Sequence, residues 1–306
     1  MPTLAITTSN FDMENPYLDK LRDHGWEIVR NPLGRRMTED EVLDLLRTSA
    51  AEAMVAGVEP LTRRVFDANP QLRVISRCGS GLDSVDVEAA AERGIGLYRT
   101  PEAPAEAVAE LTIALAISVL RRIGEADRLV RAGTWKALMG RSYGRSRIGI
   151  VGLGHVGSRV AKVSRALGAE VGYTDRYVTD DAYRRFPDVL SLAGWADVLT
   201  IHLPHDEETH HTVDAAVLDA LGPEGVVVNT ARGGLVDEEA LFAALREGRI
   251  AGAALDVFET EPYDGPLSSL PNVVLTCHMG SYARQVRAAM ETEALQNLLT
   301  HLDLTP

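Results

Sequence analysis

Short apolar runs alternate with amphipathic stretches of helix length from one end of the chain to the other. In the first third, LAIT at 4–7, WEIV at 26–29, AMVAG at 53–57, LRVIS at 72–76 and IGLY at 95–98 are bounded by polar or turn residues. Runs of this length, separated by amphipathic segments, predict parallel strands joined by crossover helices. Thr38 followed three residues on by Glu41 forms a capping box and marks the start of the second crossover helix. Between 100 and 133 the period changes. The chain passes Pro101 and Pro104, after which Val108, Leu111, Leu115 and Val119 recur at helical spacing, predicting one long helix that acts as a spine between two halves.

A second series of strands follows: RIGIV at 147–151, EVGYT at 170–174, DVLTI at 197–201, GVVVNT at 225–230, GAALDVF at 252–258 and NVVLT at 272–276. Asp237 can cap the helix after the fourth, Val236 and Leu241 occupy its staple positions, and Gly248 can end it. Six such strands predict a doubly wound nucleotide-binding sheet. The final helix, over 283–302, has no strand after it and is free to return to the first half.

Composition adds bounds. At 306 residues the chain holds about two domains. With 45% hydrophobic and 25% charged residues it is expected to be globular, not disordered or membrane-embedded. A net charge of −13 argues against nucleic acid and anionic lipid as partners. Cys78 and Cys277 form no CxxC pair and suit a reducing cytoplasm. The opening MPTLAITTSN lacks the pattern of a signal peptide. The apolar stretch at 105–120 carries Glu106 and Glu110 and is too polar to span a bilayer.

Gly152, Gly154 and Gly157 follow the strand RIGIV directly and open a helix that Gly168 closes. In this context the first glycine permits a tight turn, the second lets backbone amides approach a pyrophosphate, and the third allows close helix–strand packing. The phosphates would meet the helix N-terminus. Asp175 ends the next strand, where a carboxylate accepts hydrogen bonds from both ribose hydroxyls and repels a 2′-phosphate. NAD is therefore expected over NADP, although Arg176 could meet a phosphate.

Three successive apolar strands each deliver one ionisable residue beyond their carboxyl ends: Arg232, Glu261 and His278. Ligands bind at those ends in open parallel sheets. A guanidinium fork for a carboxylate, an imidazole that gives a proton to a developing alkoxide, and a carboxylate that orients the imidazole together suit hydride transfer to a 2-oxo acid.

The sequence resembles the D-2-hydroxyacid dehydrogenase family, near its phosphoglycerate-dehydrogenase-like branch. The matching stretches are NPLGRRMTEDEV, VISRCGSGLDSVDVEAAAERGI, AVAELTIAL, GIVGLGHVG, HLPHDEET, VVVNTARGGLVDEEAL, AALDVFETEP and LTCHMG. The resemblance implies two doubly wound α/β domains: a flavodoxin-like substrate domain, 1–99 with 283–306, and a Rossmann NAD-binding domain, 100–282, inserted into it. It implies the roles just given for Arg232, Glu261 and His278. It also implies cofactor contacts from His155, Val156, His202, Pro204, Thr230, Ala231, Asp256 and Gly280, substrate contacts from the Ser80-Gly81 turn, and a homodimer paired through the NAD-binding domains. The chain departs from the family pattern at Cys277, usually proline, at Arg99, often asparagine, and at Pro104 and Ala105.

Other readings have less behind them. Arg77, before the Gly79-Ser80-Gly81 turn, and Arg99 are candidates for a second anionic group on the substrate, such as a phosphate or phosphonate. His202, His205, His210 and His211 invite a metal reading, but no thiolate or compact pair joins them, and none is expected. An NAD-sensing corepressor-like binding protein of the same fold is the alternative to an enzyme.

Overall fold

The apolar runs of the first third form β1 (Thr3–Ile6), β2 (Glu27–Arg30), β3 (Ala53–Ala56), β4 (Val74–Arg77) and β5 (Gly96–Arg99). The structure is a computed structural model and describes residues 1–304. Every pairing in this sheet is parallel, in the order β2-β1-β3-β4-β5, the flavodoxin-like arrangement. β1, β3 and β4 are buried throughout, whereas the edge strands β2 and β5 are partly exposed. That is why the central runs read as continuously apolar.

The second series forms β6 (Arg147–Val151), β7 (Glu170–Thr174), β8 (Arg184–Arg185), β9 (Val198–Ile201), β10 (Val226–Asn229), β11 (Gly252–Leu255) and β12 (Val273–Leu275). Their order is β12-β11-β10-β9-β6-β7-β8, all parallel. The order reverses at β6, the first strand of the series, as in Rossmann sheets. The glycine turn leaves β6 at that switch point. β8 has no counterpart in the hydropathy pattern. Its two residues are exposed arginines, and it exists because they pair with Gly172 and Tyr173 of β7.

Two compact units result. One comprises Met1–Pro104 and Ala283–Pro306, the other Ala105–Tyr282; residues 305 and 306 of the expected substrate domain lie outside the described residues. The first unit runs through Pro104, five residues past the boundary expected from the sequence. The final helix, Arg284–His301, returns to it, and Met290, Ala294, Leu295 and Leu298 share a core with Leu4, Ile6, Val55 and Val74.

The long helix expected over 100–133 is two, Ala105–Leu120 and Ile123–Arg131. Arg122 adopts a left-handed conformation, φ +53°, and its guanidinium pairs with Glu125 in the first turn of the second helix. The first of these helices packs on the second sheet. Ile113, Leu115, Ala116 and Leu120 pack in one core with Ile148, Ile150, Val226 and Val228 of the second sheet.

Candidate active site

Each glycine of the turn after β6 has a measurable reason. Gly152 has φ +93°, and a Cβ there would lie 2.8 Å from the His202 carbonyl oxygen. A Cβ on Gly157 would lie 2.0 Å from the Gly152 carbonyl oxygen, so helix and strand meet only through glycine. A Cβ on Gly154 would meet nothing within 4 Å. Gly154 is also the cap of the helix His155–Ala166 and has no side chain to accept from its first-turn amides. Those amides, His155 and Val156 among them, face an open approach suited to a pyrophosphate.

Asp175 lies just beyond β7 and spans two turns. Its Oδ2 accepts from the Leu153 amide at 2.7 Å, and its Oδ1 accepts from the Tyr177 and Val178 amides at 2.8 and 2.7 Å. Partial burial opposes ionisation, but the three amides and the nearby Arg185 guanidinium outweigh it and hold the carboxyl below its ordinary range. A carboxylate offers about four lone-pair sites, which leaves capacity for a ribose hydroxyl. The Arg176 guanidinium is engaged by Glu208.

The loop after β9 begins with His202. Its Nε2 lies 3.1 Å from Thr200 Oγ1, and Nδ1 is buried without a hydrogen-bond partner among the described residues. Burial pushes this imidazole down to about 3. Pro204 is exposed, and its carbonyl accepts from Thr209 Oγ1 at 2.8 Å. Further along, His205 Nε2 lies 3.2 Å from His210 Nδ1, and His211 Nε2 lies 2.8 Å from Glu259 Oε1. Among the described residues no group of three or more His, Cys, Asp or Glu side chains could hold a metal ion.

β10, β11 and β12 are neighbours, so their carboxyl ends deliver Arg232, Glu261 and His278 to one edge of the sheet. Asn229, the last residue of β10, shapes the arginine turn: its amide nitrogen donates to the Arg232 carbonyl at 2.8 Å, and its oxygen accepts from the Ala231 amide at 3.0 Å. The Arg232 guanidinium donates to the Ala231 carbonyl at 2.6 Å. Gly233 brings this turn against the segment leading to Glu261, since a Cβ there would lie 1.9 Å from the Phe258 carbonyl carbon. Glu261 accepts from the Phe258 amide through Oε1 at 3.1 Å, and its Oε2 lies 2.8 Å from His278 Nδ1. That bond leaves the other ring nitrogen of a partly exposed imidazole for proton transfer.

His278 has φ +53°, an uncommon conformation for a residue with a side chain. Asp256 holds it there. This residue, 1% exposed, accepts from the His278 amide through its backbone oxygen at 2.7 Å. Its carboxylate takes the Thr276 hydroxyl at 2.5 Å and the Met279 and Gly280 amides at 2.9 and 2.8 Å. Asp256, expected at the cofactor, accepts three hydrogen bonds from the histidine loop, two through Oδ1 and one through Oδ2, which leaves acceptor capacity on Oδ2. Thr230 Oγ1 lies 2.7 Å from Thr112 Oγ1 on the helix Ala105–Leu120, and Thr112 donates to the Val108 carbonyl.

The expected substrate residues of the first unit cluster around one turn. Ser80 is exposed, and its carbonyl accepts from Arg99 at 3.2 Å. Gly81 follows it, half-buried. Arg77 is 7% exposed, donates to the Cys78 carbonyl at 3.1 Å and lies across Gly79, where a Cβ would fall 1.3 Å from its Nη1. Both arginines thus brace the turn. Sequence reasoning missed Asn229, Gly233 and Thr112. Only the asparagine had a visible signal, a polar residue closing an all-valine strand.

A dinucleotide turn at the sheet's switch point, beside a carboxylate-held histidine and an arginine at adjacent strand ends, defines an NAD-binding oxidoreductase of 2-hydroxy acids. Residues 113–280 match the family described as D-isomer specific 2-hydroxyacid dehydrogenase, NAD binding domain. The chain is 42% identical over 247 residues to glyoxylate/hydroxypyruvate reductase A of Arabidopsis thaliana, covering 78% of this chain and 79% of that one. The TT0316 protein of Thermus thermophilus has a similar structure, with TM-score 0.89 and 37% identity, covering 98% of this chain and 97% of that one. So has the NADPH-dependent glyoxylate/hydroxypyruvate reductase of Sinorhizobium meliloti, solved with NADP and malonate, with TM-score 0.83 and 32% identity, covering 98% and 93%. The chain belongs to the D-2-hydroxyacid dehydrogenases and is an NAD-dependent oxidoreductase. No helix among the described residues is long and apolar enough to cross a membrane.

Proposed function

We propose that the protein reduces a small, unphosphorylated 2-oxo acid of the glyoxylate or hydroxypyruvate class, with NADH as donor. The observation that carries this reading is the 2.8 Å bond between Glu261 and His278 Nδ1, one strand from Arg232. Arg232 binds the substrate carboxylate as a planar fork. His278, its tautomer set by Glu261, gives a proton to the carbonyl oxygen as negative charge develops there, and in the reverse direction takes it back. When bound, NADH supplies the hydride. Its pyrophosphate suits the Gly152–Gly157 turn, its ribose Asp175, and its remaining contacts His202, Pro204, Thr230, Ala231 and Gly280. From the first unit, Ser80 and Gly81 are the residues proposed to contact substrate.

The unphosphorylated substrate class is taken from relatives such as the glyoxylate/hydroxypyruvate reductase of Arabidopsis thaliana. Arg77 and Arg99 remain the candidates for a second anionic group: Arg77 is buried across the 77–81 turn, whereas exposed Arg99 spends one guanidinium donor on the Ser80 carbonyl. NADH is favoured over NADPH because Asp175 is ionised and Arg176 is held by Glu208. We further place the protein in the cytoplasm, as a homodimer joined through the Ala105–Tyr282 unit.

The test is NADH and NADPH oxidation with glyoxylate, hydroxypyruvate, phosphohydroxypyruvate and a bulky aryl 2-oxo acid. Turnover of the first two with NADH is expected. Preference for the phosphorylated acid, with Arg77→Ala abolishing it, would replace this substrate assignment. Tight NADH binding without turnover of any acid would favour the corepressor-like alternative.

A further inference from the structure

Behind the loop that presents Glu261 stands a carboxylate with no task so far. Glu238 is the first residue of the helix Glu238–Arg246, directly after its cap Asp237. A first-turn acid is ordinarily explained by attraction to the positive end of the helix dipole, with the carboxylate in water. Glu238 departs from that pattern. The helix amide of Ala240 is already served by Asp237 at 2.9 Å. Glu238 instead leaves its own helix, and its Oε1 accepts from the backbone amide of Glu259 at 2.7 Å. Burial raises its pKa, and the charges of Glu259 and Glu261 add to the rise against the pull of the amide bond. An acid kept partly buried beside two others is electrostatically unfavourable, so the position gains something from its reach.

That reach bears on the catalytic loop. Between Asp256, which anchors the histidine segment, and Glu261, which touches the histidine ring, the chain is restrained at Phe258 and Glu259. Gly233 packs against the Phe258 backbone, the Phe258 and Tyr263 rings stack at 4.2 Å, and the Glu259 side chain is held by His211. Glu238 restrains the Glu259 backbone itself, two residues from Glu261.

We propose that Glu238 is a positioning residue for hydride transfer: by holding the Glu259 amide it sets the Glu261 carboxylate, and through it the imidazole of His278. This rests on the catalytic reading of Glu261 and His278 given above. Length matters in this arrangement, and charge does not. Glutamine at 238 keeps an acceptor oxygen at the same reach, whereas aspartate keeps the charge and falls one methylene short.

The experiment compares Glu238→Ala, Glu238→Asp and Glu238→Gln in the full chain, assayed with NADH and glyoxylate, alongside Glu261→Gln. Misplacement of a catalytic group by about an ångström costs up to about a hundredfold in rate, so a kcat loss of about tenfold is expected for the alanine and aspartate variants. KM for NADH and the unfolding midpoint are expected to stay near wild type, and the glutamine variant is expected to rescue most of kcat. An aspartate variant as active as wild type would overturn the proposal. So would equal losses in the aspartate and glutamine variants, because a charge or stability role predicts those patterns. If the alanine and aspartate variants do not fold, a tenfold kcat loss in a folded glutamine variant overturns it equally. Wild-type kcat in Glu261→Gln would overturn the catalytic reading itself. A large loss there with none in Glu238→Asp would overturn the positioning role alone.

Discussion

His278 occupies a left-handed backbone conformation that costs a residue with a side chain on the order of 1 to 3 kcal/mol. Asp256 offsets this with hydrogen bonds to Thr276, Met279 and Gly280 and a backbone bond to His278 itself. Replacing Asp256 with alanine is expected to lower both kcat and the unfolding midpoint, since it frees a strained loop and leaves two amides and a hydroxyl without their acceptor. A variant with wild-type kcat would show that the loop holds without it. His202 supplies a prediction with a sign. Its imidazole titrates at about 3 when folded and at its ordinary 6.5 when unfolded. Across that interval the unfolded chain binds the extra proton, so stability falls as pH drops from 6.5 towards 3. Urea unfolding of the wild type should therefore lose more stability between pH 7 and 5 than His202→Asn does. Parallel losses would contradict a neutral imidazole with its Nδ1 buried.

At the scale of elements, the turn after β10 ties two catalytic segments together. Asn229 holds Arg232 and Ala231 on one side, and Gly233 lets Phe258 approach on the other. Asn229→Ala should loosen the guanidinium without removing it, raising KM for the oxo acid more than it lowers kcat, with kcat/KM down about tenfold. Steady-state kinetics with NADH and glyoxylate read this directly, and an unchanged KM would refute the bracing role. Several elements were legible because their signals are local. The capping box of Thr38 and Glu41 forms as its spacing predicts, and Asp237 caps its helix. The glycine turn after β6 was equally legible, because Gly152 and Gly157 answer to contacts within that βα unit or the adjoining strand end and Gly154 leaves the helix start open. β8 and the break at Arg122 were not. One depends on pairing with β7 and the other on a single backbone angle, and neither leaves a periodic trace.

At the scale of the whole molecule, the least expected surface is apolar. In the helix Ile123–Arg131 no residue is buried, Ile123 and Val130 are exposed, and Trp135 and Met139, at 93% and 89%, follow it. These exposed apolar groups are where the homodimer proposed above would pair. Light scattering of Trp135→Glu combined with Met139→Glu should show a shift towards monomer at micromolar concentration. A variant of unchanged mass would move the interface elsewhere.

The sequence by itself determined what short stretches of chain can encode. The parallel strands follow from runs of valine, isoleucine and alanine, the cofactor turn from three glycines within six residues, and the reaction class from an arginine, a glutamate and a histidine at successive strand ends. Tertiary structure alone decided how those groups are held. Arg77 proved to lie across Gly79, Asp256 to serve the histidine loop, Asn229 to brace Arg232 and Glu238 to reach Glu259. The reason is geometric. Such bonds depend on strand order, on which turns lie side by side and on which direction a side chain leaves its own backbone, and hydrophobic periodicity carries none of these.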